Sequence, residues 1–371
     1  MRIGINARLL LQNRMEGIGW HAFEIISRMT QSHPEHEFVL YYDRRQDILI
    51  PSGKNIRPVI LFPPSRHPFL MWWWCKTLSR AVRKDHIDVF YSPEVLLPAR
   101  GKIPMLITIH DLSPLVLPDS IPGLYAYYFR NLLPLNAARA DHILTVSRFS
   151  KSEIEQHLKI PSKKISVIYN AARDIFRPLV SEKKQTIRDQ FVQGNPYFIY
   201  LGSIHDRKNV DKIIQAFDLF IKKYNTSHYL LLAGKFMGRH QKAKQSIRQS
   251  AFASRIIQVG YLEDPKVASL LASADALINL SIYEGFGMPL VEAFQAGTPV
   301  IAAAASSYPE IAGQAGILVD PEDLSNVAGA MHQVIVNPVQ FSNQGIIRAK
   351  EFDWEKSARQ VWESISLLVS K

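Results

Sequence analysis

Two glutamates, Glu284 and Glu292, stand with seven residues between them in Ser281-Ile-Tyr-Glu-Gly-Phe-Gly-Met-Pro-Leu-Val-Glu-Ala293, just beyond the apolar run Ala276–Asn279. A carboxylate accepts hydrogen bonds from vicinal hydroxyls, so such a pair suits the two ends of one ligand built of sugar and ribose. Gly285 and Gly287 let the backbone aim its N–H groups at that ligand, and Pro289 opens a helix that carries Glu292 one turn in. The bland alternative is a helix-capping loop with surface glutamates. A second cluster, Leu201-Gly-Ser-Ile-His-Asp-Arg-Lys-Asn-Val210, follows another apolar run and sets Arg207 and Lys208 in a strand-to-helix loop. A phosphate binds at such a place, with Lys208 a point charge and Arg207 a bidentate donor. Elsewhere a basic loop pair is simply solvated. Near the N-terminus, Gly17-Ile-Gly-Trp-His-Ala22 is a G-x-G-x-x-A pattern, and the next strand ends at an acid, Asp43, as in dinucleotide sites. Against a nicotinamide cofactor, the stretch Ala7–Glu16 separates the first strand from Gly17, whereas that fingerprint turns at once. A helix N-terminus open to an anion, or a purely structural turn, accounts for the same glycines.

These residues are spaced by a regular alternation. Apolar, β-branched runs at Arg2–Asn6, Phe38–Tyr42, Val89–Tyr91, Met105–Ile109, His142–Val146 and Ile165–Ile168 alternate with helical patterns. The rhythm resumes at Tyr197–Leu201, Tyr229–Ala233, Arg255–Val259, Ala276–Asn279, Pro299–Ala302 and Gly316–Val319. Strands alternating with helices predict doubly wound α/β sheets whose ligands bind at the carboxyl ends of the strands. Pro178 and the charged Ser181–Lys184 read as a linker, which predicts domains at 1–178 and 179–354. The apolar spacing of Ala358, Val361, Trp362, Ile365 and Leu368 is helical, so residues 355–371 form a helix that needs a surface to cover; this helix is expected to return to the first domain.

The chain has 371 residues, 47% of them hydrophobic and 21% charged, a balance that excludes global disorder. Its longest apolar run, Phe69–Cys75, is far too short to span a bilayer, and the N-terminus lacks the charged and apolar regions of a signal peptide. A single cysteine, Cys75, forms no internal disulfide, which predicts a reducing, cytoplasmic setting. The net charge of +11 is concentrated in residues 1–178, which carry +9 of it. Nucleic acid, an anionic membrane or a phosphorylated ligand would each suit such a surface. No aromatic–basic recognition motif accompanies the charge, so no nucleic acid partner is expected. Trp72-Trp-Trp74 with Lys76, Arg80, Arg83 and Lys84 reads either as a core stripe or as a basic membrane-facing helix. His86, His157 and His228 read as surface residues, and Lys242–Arg248 as a solvated helical face.

As a set, E-G-F-G-x-P-x-x-E preceded by G-S-x(3)-R-K-N resembles the retaining glycosyltransferases of family 4. The likeness runs through Gly17-Ile-Gly19, His110-Asp111, Val146-Ser-Arg-Phe-Ser150, Val167-Ile-Tyr-Asn170, Ser307-Tyr-Pro-Glu310, Gly316-Ile-Leu-Val-Asp-Pro321 and Phe352-Asp-Trp-Glu355. His110-Asp-Leu-Ser-Pro114 looks most like the bacterial mannosyltransferases of O-antigen and capsular polysaccharide synthesis. The resemblance implies the GT-B fold, two Rossmann-like domains facing across a cleft, with the acceptor on the N-terminal domain and the nucleotide-sugar on the C-terminal one.

By that resemblance Arg207 and Lys208 hold the donor diphosphate, Glu292 the ribose hydroxyls, and Glu284 with the amides of Gly285, Phe286, Gly287 and Met288 the donor sugar. His110 faces the reacting sugar, Gly17 and Gly19 match a loop near the phosphates, and Tyr261 and Leu262 lie in the stretch whose backbone faces the nucleobase. Ser203 departs from the family pattern, since several relatives carry an arginine there, which leaves more of the diphosphate to Arg207 and Lys208. GDP-mannose is favoured over UDP-sugars as donor, and a glycan or lipid-linked hydroxyl is the expected acceptor. With no D-x-D motif placed to chelate a metal, fixed cations are expected to meet the charge on the leaving diphosphate, and no metal or other cofactor is expected. Retention with the β-phosphate as base would make the two carboxylates something other than a hydrolase acid/base dyad. A peripheral position on the inner face of the plasma membrane, through the basic N-terminal half, completes the expectation. A GT-B nucleotide-sugar epimerase is the alternative enzyme, and a basic nucleic-acid-binding protein the alternative outside enzymes.

Overall fold

The computed structural model describes residues 1–12, 15–65, 67–118 and 123–370. The chain divides into two compact units, one of Met1–Asn170 with the residues from Asp353 onward, the other of Ala171–Phe352. In the first unit β1 (Arg2–Asn6), β2 (Glu37–Tyr42), β3 (Ile56–Ile60), β4 (Val89–Ser92), β5 (Met105–Ile109), β6 (His142–Thr145) and β7 (Ile165–Val167) form one sheet in the order β3-β2-β1-β4-β5-β6-β7. Every pairing is parallel. A parallel sheet covered on both faces needs strands apolar on both sides, and β4 and β5 are buried at every residue. β3 was not among the expected strands. Its central Pro58 breaks the apolar pattern, and the ladder tolerates that proline because β3 is the sheet's edge.

The second unit holds β8 (Tyr197–Leu201), β9 (Tyr229–Ala233), β10 (Ile256–Gly260), β11 (Ala276–Asn279), β12 (Val300–Ala303) and β13 (Ile317–Val319), parallel and ordered β10-β9-β8-β11-β12-β13. The winding direction reverses between β1 and β4 in one sheet and between β8 and β11 in the other. Loops that leave neighbouring strands in opposite directions open a crevice at such a point.

Four expectations need correction. The units divide at Asn170/Ala171 rather than near Pro178, because Arg173 is already tied into the second unit: it pairs with Asp264 at 2.6 Å, and its carbonyl accepts from Gln295 Nε2 at 2.9 Å. The second boundary falls between Phe352 and Asp353, not after 354. Ser181–Val192, taken in part as linker, is a helix; Lys, Glu, Gln and Arg are good helix formers, and Arg188 docks it on the Ser273 carbonyl at 3.1 Å. His228 is buried, not at the surface, its ring stacked 5.0 Å from Phe198.

The final helix, Trp354–Val369, packs on Gly17–Ser32 of the first unit. Trp362 stacks on His33 with ring centroids 3.6 Å apart, Arg28 Nε meets Glu355 at 2.8 Å, and Ser357 Oγ donates to the Tyr169 carbonyl at 2.6 Å. Helix Pro68–Lys84 splits the tryptophan run: Trp74 is wholly buried, while Trp72 and Trp73 are exposed. Cys75 lies beside Trp74 in the core, and burial pushes its thiol up to about 12. Among the described residues no helix is long and apolar enough to cross a membrane.

Candidate active site

In the second unit the loops after β8 and β11 meet where the strand order reverses. The β8 loop ends in a 3-10 turn, Asp206–Lys208, followed by Asn209 in the left-handed region, a conformation Asn tolerates. Asn209 Nδ2 donates to the Leu280 carbonyl at 3.0 Å, and the Ile282 amide to the Arg207 carbonyl at 3.1 Å, so the two loops are stitched together. This brings side chains 76 and 77 residues apart onto one carboxylate oxygen: Glu284 Oε1 takes Lys208 Nζ and, at 3.1 Å, Arg207 Nη1. Ser281 Oγ donates to the same oxygen at 2.8 Å. Arg207 Nη1 also reaches the Tyr283 carbonyl. The side chains of Arg207, Lys208 and Glu284 are only 14–15% exposed. Burial alone would raise the Glu284 pKa, but the two cations and their hydrogen bonds prevail and hold it down, at about 2. Glu284 is therefore an anion at any physiological pH: it can accept from hydroxyls and cannot serve as a proton donor. Among the described residues these bonds all fall on Oε1, which leaves Oε2 for a ligand hydroxyl. His205 beside them is pushed down to about 4 by burial and by Arg207 and Lys208, so it is neutral.

The β11 loop is braced from behind: the Glu284 amide donates to Ser306 Oγ at 3.1 Å, and Ser307 Oγ to the Phe286 carbonyl at 2.9 Å. Gly287 then enters the helix Met288–Gln295 with φ of 98°, and offers no side chain to cap its first amides. Those amides point out of the helix end, as an anion would need. A Cβ at Gly287 would stand 2.6 Å from Tyr308 Cε1. Gly287→Ala is accordingly expected to cost about 1–3 kcal/mol, read as a lowered urea midpoint at unchanged slope. Glu292 lies one turn into this helix, buried, with Arg173 Nη2 3.8 Å from its Oε1. Burial outweighs Arg173 and raises Glu292 to about 7, with Asp264 contributing.

Tyr261 and Leu262 follow β10 at the same end of the sheet, where Gly202 N bonds Ala233 O at 2.9 Å and Gly234 N bonds Gly260 O at 2.8 Å. Tyr261 is exposed, with Lys235 Nζ 4.6 Å from its ring centre. Ser203 holds the β8 loop in place by accepting the Tyr200 hydroxyl on its carbonyl at 2.7 Å. Gly17, Gly19 and His110 belong to the first unit. Gly19 is closely packed, since a Cβ there would stand 3.0 Å from the Leu9 carbonyl; one at Gly17 would meet nothing within 4 Å. His110 directly follows β5 and gives Nε2–H to the Pro93 carbonyl at 2.9 Å, its ring perpendicular to that of buried His21 with centroids 4.7 Å apart. Burial lowers the pKa of His110 and takes His21 down to about 3, which favours the neutral form of each ring. Asp43 is fully buried and held by Ser65 and Arg44, an arrangement unlike that of a ribose-binding acid.

Sequence reasoning missed Ser281, Ser306 and Arg173. Ser281 sits three residues before Glu284 and was open to a local reading; Arg173 and Ser306 have no signal near the residues they serve.

Two family models match the chain: Glycosyltransferase Family 4 over residues 15–173 and Glycosyl transferases group 1 over residues 182–352. They leave unmatched only the ends and a short connection. The chain is a glycosyltransferase of family 4. This family 4 enzyme, a hexosyltransferase, is 26% identical over 376 residues to O-antigen chain mannosyltransferase B of Escherichia coli, covering 95% of this chain and 97% of that protein. It is 27% identical over 252 residues, 66% of each chain, to O-antigen chain mannosyltransferase RfbU of Salmonella typhimurium. Among solved structures it is similar to a sucrose-phosphate synthase from Thermosynechococcus elongatus, with a TM-score of 0.81, 17% identity and coverage of 100% and 99%. It is also similar to WaaG, a glycosyltransferase involved in lipopolysaccharide biosynthesis, with a TM-score of 0.76, 14% identity and coverage of 98% and 99%. The glycosyltransferase thus has the GT-B fold, with two parallel-sheet Rossmann-like units.

Proposed function

We propose that this enzyme transfers mannose from GDP-mannose to a hydroxyl of a glycan or lipid-linked acceptor, with retention of the anomeric configuration, during synthesis of a cell-surface polysaccharide. The carrying observation is the convergence of Lys208, Arg207 and Ser281 on Glu284 at the reversal point of the second sheet. Transfer loads negative charge onto the leaving diphosphate, and cations fixed beforehand stabilise it without reorganising at the moment of reaction. Glu284 aims both cations at one point, and its remaining oxygen accepts from the donor sugar. The first amides of Met288–Gln295 add donors, and Glu292 takes the ribose hydroxyls. Lys208 and Arg207 supply the charge a metal otherwise brings, so the rate is expected to be unchanged by EDTA. The names of the similar O-antigen mannosyltransferases support mannose and the polysaccharide setting, and the reaction is read as cytoplasmic, at the inner face of the plasma membrane.

Thermal shift with GDP-mannose, UDP-glucose and UDP-N-acetylglucosamine tests the donor. A ligand at 100 times its dissociation constant adds about 2.7 kcal/mol of stability, and GDP-mannose is expected to give the largest shift. A larger response to either UDP-sugar would overturn the donor. Release of an epimerised sugar nucleotide without any acceptor product would overturn transfer, and an inverted anomeric proton in the product spectrum would overturn retention.

A further inference from the structure

At the end of the first sheet opposite to His110, beside the N-terminal ends of β4 and β5, lies a recess of about 780 Å³. Lys76, Arg80 and Arg83 of helix Pro68–Lys84 line one side, Arg100 and Lys102 of the segment entering β5 the other, and no carboxylate lines it. Among the described residues none of these five cations is joined to a carboxylate by an ion pair; the nearest acid in sequence, Asp85, pairs instead with Arg57 at 3.0 Å. Like charges gathered around a concave surface repel one another and focus a field that an anion relieves. The same helix face continues from Lys76 to Trp73, Trp72 and Phe69, which are 48%, 45% and 60% exposed, while Met71, Trp74, Leu78 and Val82 on the other face are buried. Lys76 Nζ sits 3.4 Å from the Trp72 ring centre, joining the aromatic ridge to the basic recess. Open α/β sheets take their ordinary ligands at the carboxyl ends of the strands, and this recess lies at the amino ends, away from that place.

We propose that the recess is a binding site for a phosphate-bearing ligand, separate from the donor site of the second unit. Guanidinium groups on two sides match phosphate oxygens in paired fashion, and the exposed aromatics beside them suit a phosphate presented at a lipid surface. The proposal rests on the first unit alone and stands whichever sugar is transferred.

The experiment compares the full chain with Arg80→Ser/Arg83→Ser/Arg100→Ser and with a charge-matched control, Lys54→Ser/Lys163→Ser/Lys356→Ser, whose side chains are exposed outside the recess. Unchanged thermal melting of both triples establishes that they fold. The wild type and the control are expected to co-sediment with phosphatidylglycerol vesicles at low salt and to be released as salt screens the attraction, whereas the recess variant binds at least tenfold less. Inorganic pyrophosphate provides the soluble arm, read as the difference in thermal shift between wild type and recess variant, because Arg207 and Lys208 take pyrophosphate in both. A recess-dependent shift without vesicle binding assigns the site to a soluble phosphate; recess-dependent sedimentation assigns it to a lipid phosphate. Equal losses in both triples, or no difference between wild type and recess variant in either arm, would overturn the proposal.

Discussion

Lys208→Ala is expected to lower kcat by about 10² or more while changing the affinity for the donor by a few fold. Under the proposed function the Lys208 ammonium faces charge that is modest in the bound diphosphate and grows as the sugar leaves, so its contribution is expected to be concentrated in the transition state. In the protein itself the same ammonium balances Glu284, which after the substitution retains Arg207 and Ser281. That residual pairing keeps the carboxylate from becoming an uncompensated buried charge, and the variant should fold. Lys208→Arg separates the two contributions: it keeps the positive charge and should recover part of the rate. Initial rates over a range of donor concentrations check this, and a kcat within threefold of wild type would remove Lys208 from its proposed role. Because Glu284 is held at about 2, no break in the rate between pH 5 and 9 should come from it.

Glu292 gives the second large effect, and its sign with pH is specific. Burial raises this carboxyl from 4.5 to about 7. The folded protein therefore binds more protons than the unfolded chain between those values, and this group's contribution to stability falls as pH rises from about 4.5 to about 7. The shift corresponds to roughly 3 kcal/mol. Glu292→Gln should remove that dependence, making the ligand-free variant more stable than wild type at pH 8 and little different at pH 4.5, by urea denaturation at the two pH values. The same substitution should weaken GDP binding at pH 8 by about 1–3 kcal/mol, since hydrogen bonds from ribose hydroxyls to a charged acceptor are lost. In the wild type, GDP affinity should rise with pH through about 7 as the carboxyl ionises. Calorimetric titration that finds GDP affinity unchanged in the variant would take Glu292 away from the ribose.

Much of this protein is written locally in its chain. Strands buried on both faces must be short apolar runs, so every strand except β3 is visible as one, and β3 is hidden because an edge strand can carry Pro58. The helical spacing of Val361, Trp362 and Ile365 shows that the last helix has an apolar face. Its neighbour, Gly17–Ser32, lies more than 300 residues away in the sequence, and no local pattern names it. Arg207, Lys208, Glu284 and Glu292 are likewise conspicuous by type, spacing and position after apolar runs, because a turn of glycines and a helix start are local features.

The sequence by itself therefore determined the α/β alternation and the family, and it marked the residues that the proposed function assigns to a sugar nucleotide. Tertiary structure alone decided which of them touch. Arg207 and Lys208 meet Glu284 only because the parallel order sets β8 beside β11 and stitches their loops. The placement of Arg173 near Glu292, the burial of His228 and the gathering of Arg80, Arg83 and Arg100 around one recess follow equally from contacts between distant segments. So do the opposite protonation tendencies of the two glutamates. A pKa is set by desolvation and by the charges within a few ångströms; both arise when separate parts of the chain pack together, and the interval of seven residues between two glutamates carries neither.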